Sequence, residues 1–156
     1  MALKLVLPTL LVLGALLLGA LRAATAATCG SEDPVGRPDH ATPEERRELS
    51  ACIAKAGKRD GGAPDGLIRG CTNAIKSGRL GSHALAYAYL SRGYVHYANG
   101  RYDEALHDLD KAIELKPDYL NAYLVRSFIH SAQGSRSLAD DDVAQYKYLG
   151  GDLSGC

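Results

Sequence analysis

Like residues recur 34 positions apart in this chain, and that period constrains the fold more than any other feature. Residues 86–119, AYAYLSRGYVHYANGRYDEALHDLDKAIELKPDY, make one such unit. A shift of 34 superimposes Tyr89 on Tyr123, Arg92 on Arg126, His96 on His130, Gly100 on Gly134, Ala105 on Ala139 and Asp108 on Asp142. Ala88, Leu90, Ala98 and Leu115 also find identical partners, at Ala122, Leu124, Ala132 and Leu149. A fixed period of this length predicts an all-α solenoid of stacked antiparallel helix hairpins. Each hairpin then buries its apolar face against its neighbours. Such a molecule offers a surface and seldom encloses a pocket for chemistry.

Local helix signals agree with the period. From Ser82 the repeats begin, with a helix expected from about Ala84 to Ala98, where Asn99-Gly100 allows a left-handed cap, and a second from about Tyr102 to Lys116 before Pro117. The next unit repeats this with helices near 119–132 and 137–148, parted at Gly134 and ended by Gly150-Gly151. Upstream, Thr42-Pro43-Glu44-Glu45 has the form of a capping box with proline at the first helical position. Leu49, Cys52, Ile53 and Ala56 then make one apolar stripe. Pro64-Asp65 starts a partner helix carrying Leu67, Ile68, Cys71, Ala74 and Ile75, stopped by Gly78. This predicts a further hairpin with its turn near residue 60.

The first residues read as an address. Lys4 precedes an apolar run from Leu5 to Leu21, and Ala24-Thr25-Ala26 supplies a small-x-small cleavage pattern. A signal peptide over 1–26 is expected, and with it a periplasmic or secreted protein. An uncleaved membrane anchor is the alternative, although 17 residues interrupted by Pro8, Gly14 and Gly19 sit at the short limit for a span. The residues before Cys29, Ala26-Ala27-Thr28, do not make a lipidation signal. The expected order is therefore signal peptide 1–26, flexible leader 27–41, degenerate hairpin 42–78, two repeats over 82–149, and a tail over 150–156.

Cleavage would leave 130 residues with 16 basic and 18 acidic side chains, a formal charge of −2. Clustered cations of the kind nucleic acid or an anionic membrane needs are missing. All four cysteines lie beyond the cut, and export favours disulfides. Cys52 and Cys71 fall on inward faces across the first hairpin turn, so a disulfide between them is expected, with two buried thiols as the alternative. Cys29 and Cys156 are left to pair with each other or between chains.

GYVHYANGRYDEALHDLDKAIELKPD is similar to the tetratricopeptide repeat family. With Ala86 as the first position, Tyr89 falls at the family's large aromatic, Gly93 at its small residue, and Ala105, Leu109 and Ala112 at helix-packing positions. Pro117 matches the terminal proline. His96 replaces the usual Tyr, and Arg92 the usual Leu. The following unit keeps Tyr123, Ala139 and Val143, but has Ser127 for Gly, Tyr146 for Ala, and no proline. The chain also resembles small exported repeat proteins of Gram-negative bacteria, through CTNAIKSGRL.

The resemblance implies a concave face lined by Tyr87, Leu90, Tyr94 and Tyr97, and by Asn121, Leu124 and Phe128 in the second unit. Open, this face suits an extended peptide or a helix. Covered by the first hairpin, the same rings are core. The family's clamp for a C-terminal carboxylate is absent, since its positions hold Leu90, Tyr94 and Val125. Arg92 with Asp108 and Arg126 with Asp142, each 16 apart, are expected to pair within their units. His96 and His130 are expected as satisfied core side chains. No cofactor, metal or small-molecule substrate is expected, and no catalytic constellation stands out. The function read from the residues is a non-enzymatic protein-binding adaptor of the bacterial envelope. The alternative is a structural subunit that uses the same face for homo-oligomerisation.

Overall fold

The computed structural model describes residues 41–53 and 64–154. Signal peptide, leader, the turn near residue 60, Cys29 and Cys156 lie outside the described residues. Six helices follow one another: α1 Pro43–Ile53, α2 Pro64–Lys76, α3 Ser82–Ala98, α4 Tyr102–Leu115, α5 Leu120–Ala132 and α6 Arg136–Tyr148. Among the described residues there is no strand. Each helix packs on the next, with α3 on α4 and α5 on α6 as the most extensive contacts. Further contacts join α1 to α3 and α3 to α5. That pattern is a stack of hairpins in which the first helix of each pair also meets the first helix of its neighbour.

Capping explains where the helices begin and end. Thr42 donates its N–H to Glu45 Oε2 at 2.7 Å, and Glu45 donates its own to Thr42 Oγ1 at 3.2 Å. The capping box thus forms as its residues predict. Glu45 Oε1 accepts a third hydrogen bond, 2.8 Å from the Gly81 N–H, tying the start of α1 to the start of α3. The Thr42 amide, then Gly81, hold the Glu45 carboxyl below its ordinary range. After α3 and α5, Gly100 and Gly134 take φ +72° and +77°. The N–H groups of Arg101 and Ser135 reach back to the carbonyls of His96 and His130 at 3.0 and 2.8 Å. This is the left-handed helix stop that only glycine adopts without strain.

Small residues set how closely paired helices approach. A Cβ on Gly93 would lie 3.2 Å from the Ala105 carbonyl oxygen and 3.2 Å from Asp108 Cβ. On Gly70 it would lie 2.5 Å from the Ala51 carbonyl oxygen, so α1 and α2 meet backbone to backbone. Beside that contact Cys52 and Cys71 form the expected disulfide, with Cα atoms 4.4 Å apart, and both side chains are buried. The bond spans 19 residues, a loop whose closure is worth about 3 kcal/mol by chain entropy.

The main core joins three hairpins, uniting Leu49 of α1, Ala74 of α2, Leu90 of α3, Leu109 of α4 and Ile129 of α5. A smaller cluster of Tyr123, Leu124 and Tyr146 is packed by Ile113, Leu149 and Leu153. Leu106 and Ile113 of α4 pack into this core, whereas the residues 34 further on, Asp140 and Lys147, are exposed. Among the described residues the last helix thus exposes charges at these positions, beside Leu138 and Tyr148. The tail lies against it, the Tyr146 hydroxyl donating to the Asp152 carbonyl at 3.4 Å.

Between the helices of each repeat lies one recurring constellation. Arg92 Nε and Nη2 donate to Asp108 Oδ2 and Oδ1 at 2.8 and 2.7 Å. Its Nη1 donates to Thr72 Oγ1 of the preceding hairpin at 2.9 Å, and its guanidinium lies 5.5 Å from the Tyr89 ring centroid. Arg126 repeats every element: Asp142 at 2.6 and 2.9 Å, Asp110 of the preceding hairpin at 2.6 Å, and the Tyr123 ring at 5.5 Å. The ion pairs expected from the 16-residue spacing are thus present, and each arginine additionally bridges to the unit before it.

His96 departs from expectation. It is buried, but its Nδ1 has no hydrogen-bond partner, and its Nε2 stands 3.9 Å from Asp108 Oδ2, beyond hydrogen-bond range. Burial foremost lowers its pKa; Arg101 and Arg92 act in the same direction, against Asp108 and Glu104.

Two outcomes are expected. Arg92→Met strands the buried Asp108 carboxylate and should cost about 3 kcal/mol of unfolding free energy in urea titrations, with much of the loss recovered in Arg92→Met/Asp108→Leu. A double variant no more stable than the single one would refute that reading. His96 favours its neutral form when folded, so its contribution is whole above the ordinary imidazole value of 6.5 and declines as pH falls below it. Thermal melts between pH 7 and 5 should therefore show a smaller drop for His96→Phe than for the parent chain.

Candidate protein-binding face

The face expected on α3 and α5 divides into a covered and an open part. Tyr87 and Leu90 are 6% and 0% exposed and share the main core with Leu49 of α1. Leu124 is buried in the smaller cluster with Tyr123 and Tyr146. Tyr94, Tyr97 and Asn121 are half-buried. Phe128, in the position equivalent to Tyr94 one repeat later, is 39% exposed. The division has a simple cause: α1 contacts α3, where Leu49 meets Tyr87 and Leu90, whereas among the described residues α5 meets only α3, α4 and α6.

The open part is aromatic and amphipathic. Tyr94 and Tyr97 rings lie 6.3 Å apart between centroids, tilted by 52°. Tyr97 and Tyr102 lie 6.2 Å apart at 33°. Tyr102 belongs to α4 and is missing from the sequence-based face, although a signal for it existed. The tight stop at Asn99-Gly100 brings residue 102 back beside residue 97, so the turn itself extends the aromatic row. None of these three hydroxyls makes a hydrogen bond among the described residues, so each is available to a ligand. Burial, then the neighbouring Tyr102 and Tyr94, raise the Tyr97 phenol above its ordinary value. A shallow depression of about 390 Å³ lies beside Ser131, next to Gly134, Arg136 and Asp140.

The chemistry available here is that of recognition. Rigid aromatic rings contribute contact area at little entropic cost, and their hydroxyls can meet a peptide backbone. Among the described residues no group of three His, Cys, Asp or Glu side chains could hold a metal ion. Asp108 and Asp142, the two buried carboxylates, are committed to arginines.

No curated protein matches the chain. Residues 86–119 match the family model of the tetratricopeptide repeat, a span that begins within the first turns of α3 and runs through α4 to the turn after it. That stretch is similar to a tetratricopeptide repeat and is set within a stack of helical hairpins.

Proposed function

We propose that the chain is a non-enzymatic adaptor that holds a protein partner on the open aromatic part of its concave face. Tetratricopeptide repeats are in general protein–protein interaction modules, and one lies at the centre of this molecule. Phe128 carries the reading. Its large apolar ring is 39% exposed, in register with Tyr94 and its row of unpartnered hydroxyls, and belongs to neither core cluster of the described residues. The divergent unit over 120–149 serves as a second repeat that extends the face. The bacterial envelope is the proposed setting, on the strength of the apolar run and small-x-small pattern over residues 1–26. The Cys52–Cys71 bond suits an oxidising compartment.

Tyr94→Ala with Phe128→Ala should reduce partner recovery in a crosslinking pull-down from the envelope fraction by about thirtyfold, the effect of losing a central aromatic anchor. Helical circular dichroism of this variant should match the parent. Phe128→Ala alone should give most of the loss, because the ring contributes little to the core. If the double variant unfolds and the single one binds normally, these rings are structural and the proposal fails.

A further inference from the structure

Both ends of the described chain come to the same edge of the stack. Glu45 accepts the Gly81 N–H at 2.8 Å, so α1 and α3 begin side by side. α4 runs back along α3 to the turn over 116–119, which returns the chain to that edge at the start of α5. α6 runs back along α5 in the same way. Its end meets the start of α5 in one cluster, where Tyr123 and Tyr146 are packed by Leu120, Leu149 and Leu153. The tail is held there too. The Asp152 carbonyl accepts from the Tyr146 hydroxyl, and the Asp152 carboxylate accepts from the Ser154 N–H and hydroxyl, both at 2.7 Å. Ala41, just before α1, and Ser154 therefore lie along one edge, traced by the starts of α1, α3 and α5.

Each chain end continues to a cysteine. Cys156 is two residues beyond Ser154, and Cys29 is twelve before Ala41. Packed helices lie 8–10 Å apart, so the path from α1 past α3 to α5 is about 20 Å. Twelve extended residues span about 40 Å, twice what that path requires. Cys52 and Cys71 are joined to each other and buried. Within one chain Cys29 and Cys156 therefore have only each other.

We propose that Cys29 and Cys156 form an intramolecular disulfide, which straps the segment before α1 along this edge to the tail after α6. The Cys29 thiolate attacks the disulfide of a thiol–disulfide carrier, and the Cys156 thiolate then displaces the carrier from the mixed disulfide. The carrier leaves as its dithiol, with both electrons and both protons. Hairpins of a solenoid contact only their neighbours, so this bond alone links the first hairpin to the last. It limits how far the stack opens, and with that the breadth of the concave face. Positions 29 and 156 are 127 apart, against 19 for Cys52 and Cys71. The longer loop gives the larger constraint on the unfolded chain. The inference uses the oxidising setting proposed above and is independent of the aromatic face and its partner.

Peptide mapping without reductant tests this on residues 27–156 folded in the presence of glutathione disulfide, which makes the outcome independent of the cellular compartment. The monomer should yield the Cys29 and Cys156 peptides joined, beside the Cys52–Cys71 pair. Cys29→Ser and Cys156→Ser should each lower Tm by about 10 °C. The double variant should lose no more, since either change removes the same bond. All three variants retain Cys52 and Cys71, and their helical circular dichroism should match the parent's. Free thiols at both positions in the monomer overturn the proposal, as does a Tm unchanged in every variant. A Cys29–Cys156 link confined to dimers overturns it too and assigns these cysteines to joining copies.

Discussion

A guanidinium gripped through Nε and Nη2 by a buried carboxylate is the joint on which this stack depends. Arg92 and Arg126 each sit on the first helix of a hairpin and grip an aspartate on the second. Removing two charges from water is expensive and is compensated only where geometry satisfies nearly every donor. Here Nε and both terminal nitrogens of each guanidinium are occupied, and each guanidinium stands over a tyrosine ring, 5.5 Å from its centroid. The third hydrogen bond runs to the preceding hairpin, to Thr72 in one case and Asp110 in the other. The same side chain thus fixes the angle within a unit and the spacing between units. Where the family pattern has leucine, this chain replaces a packing contact by a directional one, and direction is what a repeating geometry requires.

Close approach makes that joint reachable. Gly93 lets α3 settle on Ala105 and Asp108, which brings the carboxylate within range of Arg92. Ser127 takes the equivalent place in α5, buried with its hydroxyl donating to the Leu124 carbonyl at 2.7 Å, so a small polar residue serves where glycine is absent. The disulfide and the Glu45–Gly81 bond hold the less regular first hairpin, which among the described residues has no such arginine. Covering Tyr87 and Leu90 is that hairpin's contribution to the site, since it leaves the aromatic surface toward Tyr94, Tyr97, Tyr102 and Phe128.

Much of this was legible in the residues because a period carries both identity and geometry. The spacing of 16 between Arg and Asp placed them on facing helices, and the glycine stops fixed the helix ends. The bridges to Thr72 and Asp110 were not legible, since they depend on how one hairpin is set against the next and no internal spacing records that. The covering of Tyr87 and Leu90 was open for the same reason. Sequence gives the stripe on α3, while the position of α1 decides which part of it is core. The unpartnered Nδ1 of His96 was hidden as well. Burial can be read from a repeat position, but satisfaction of a ring nitrogen depends on atoms brought there by other helices.

If the arginine joints couple the hairpins, α3 to α6 should open as one unit. Native-state amide hydrogen exchange measures this most directly, in the parent chain and in Asp142→Asn. Coupling predicts similar opening free energies across the four helices of the parent, and faster exchange in α3 and α4 as well as in α5 and α6 when Asp142 is changed. Exchange that accelerates in α5 and α6 alone, with α3 and α4 protected as before, would contradict the account.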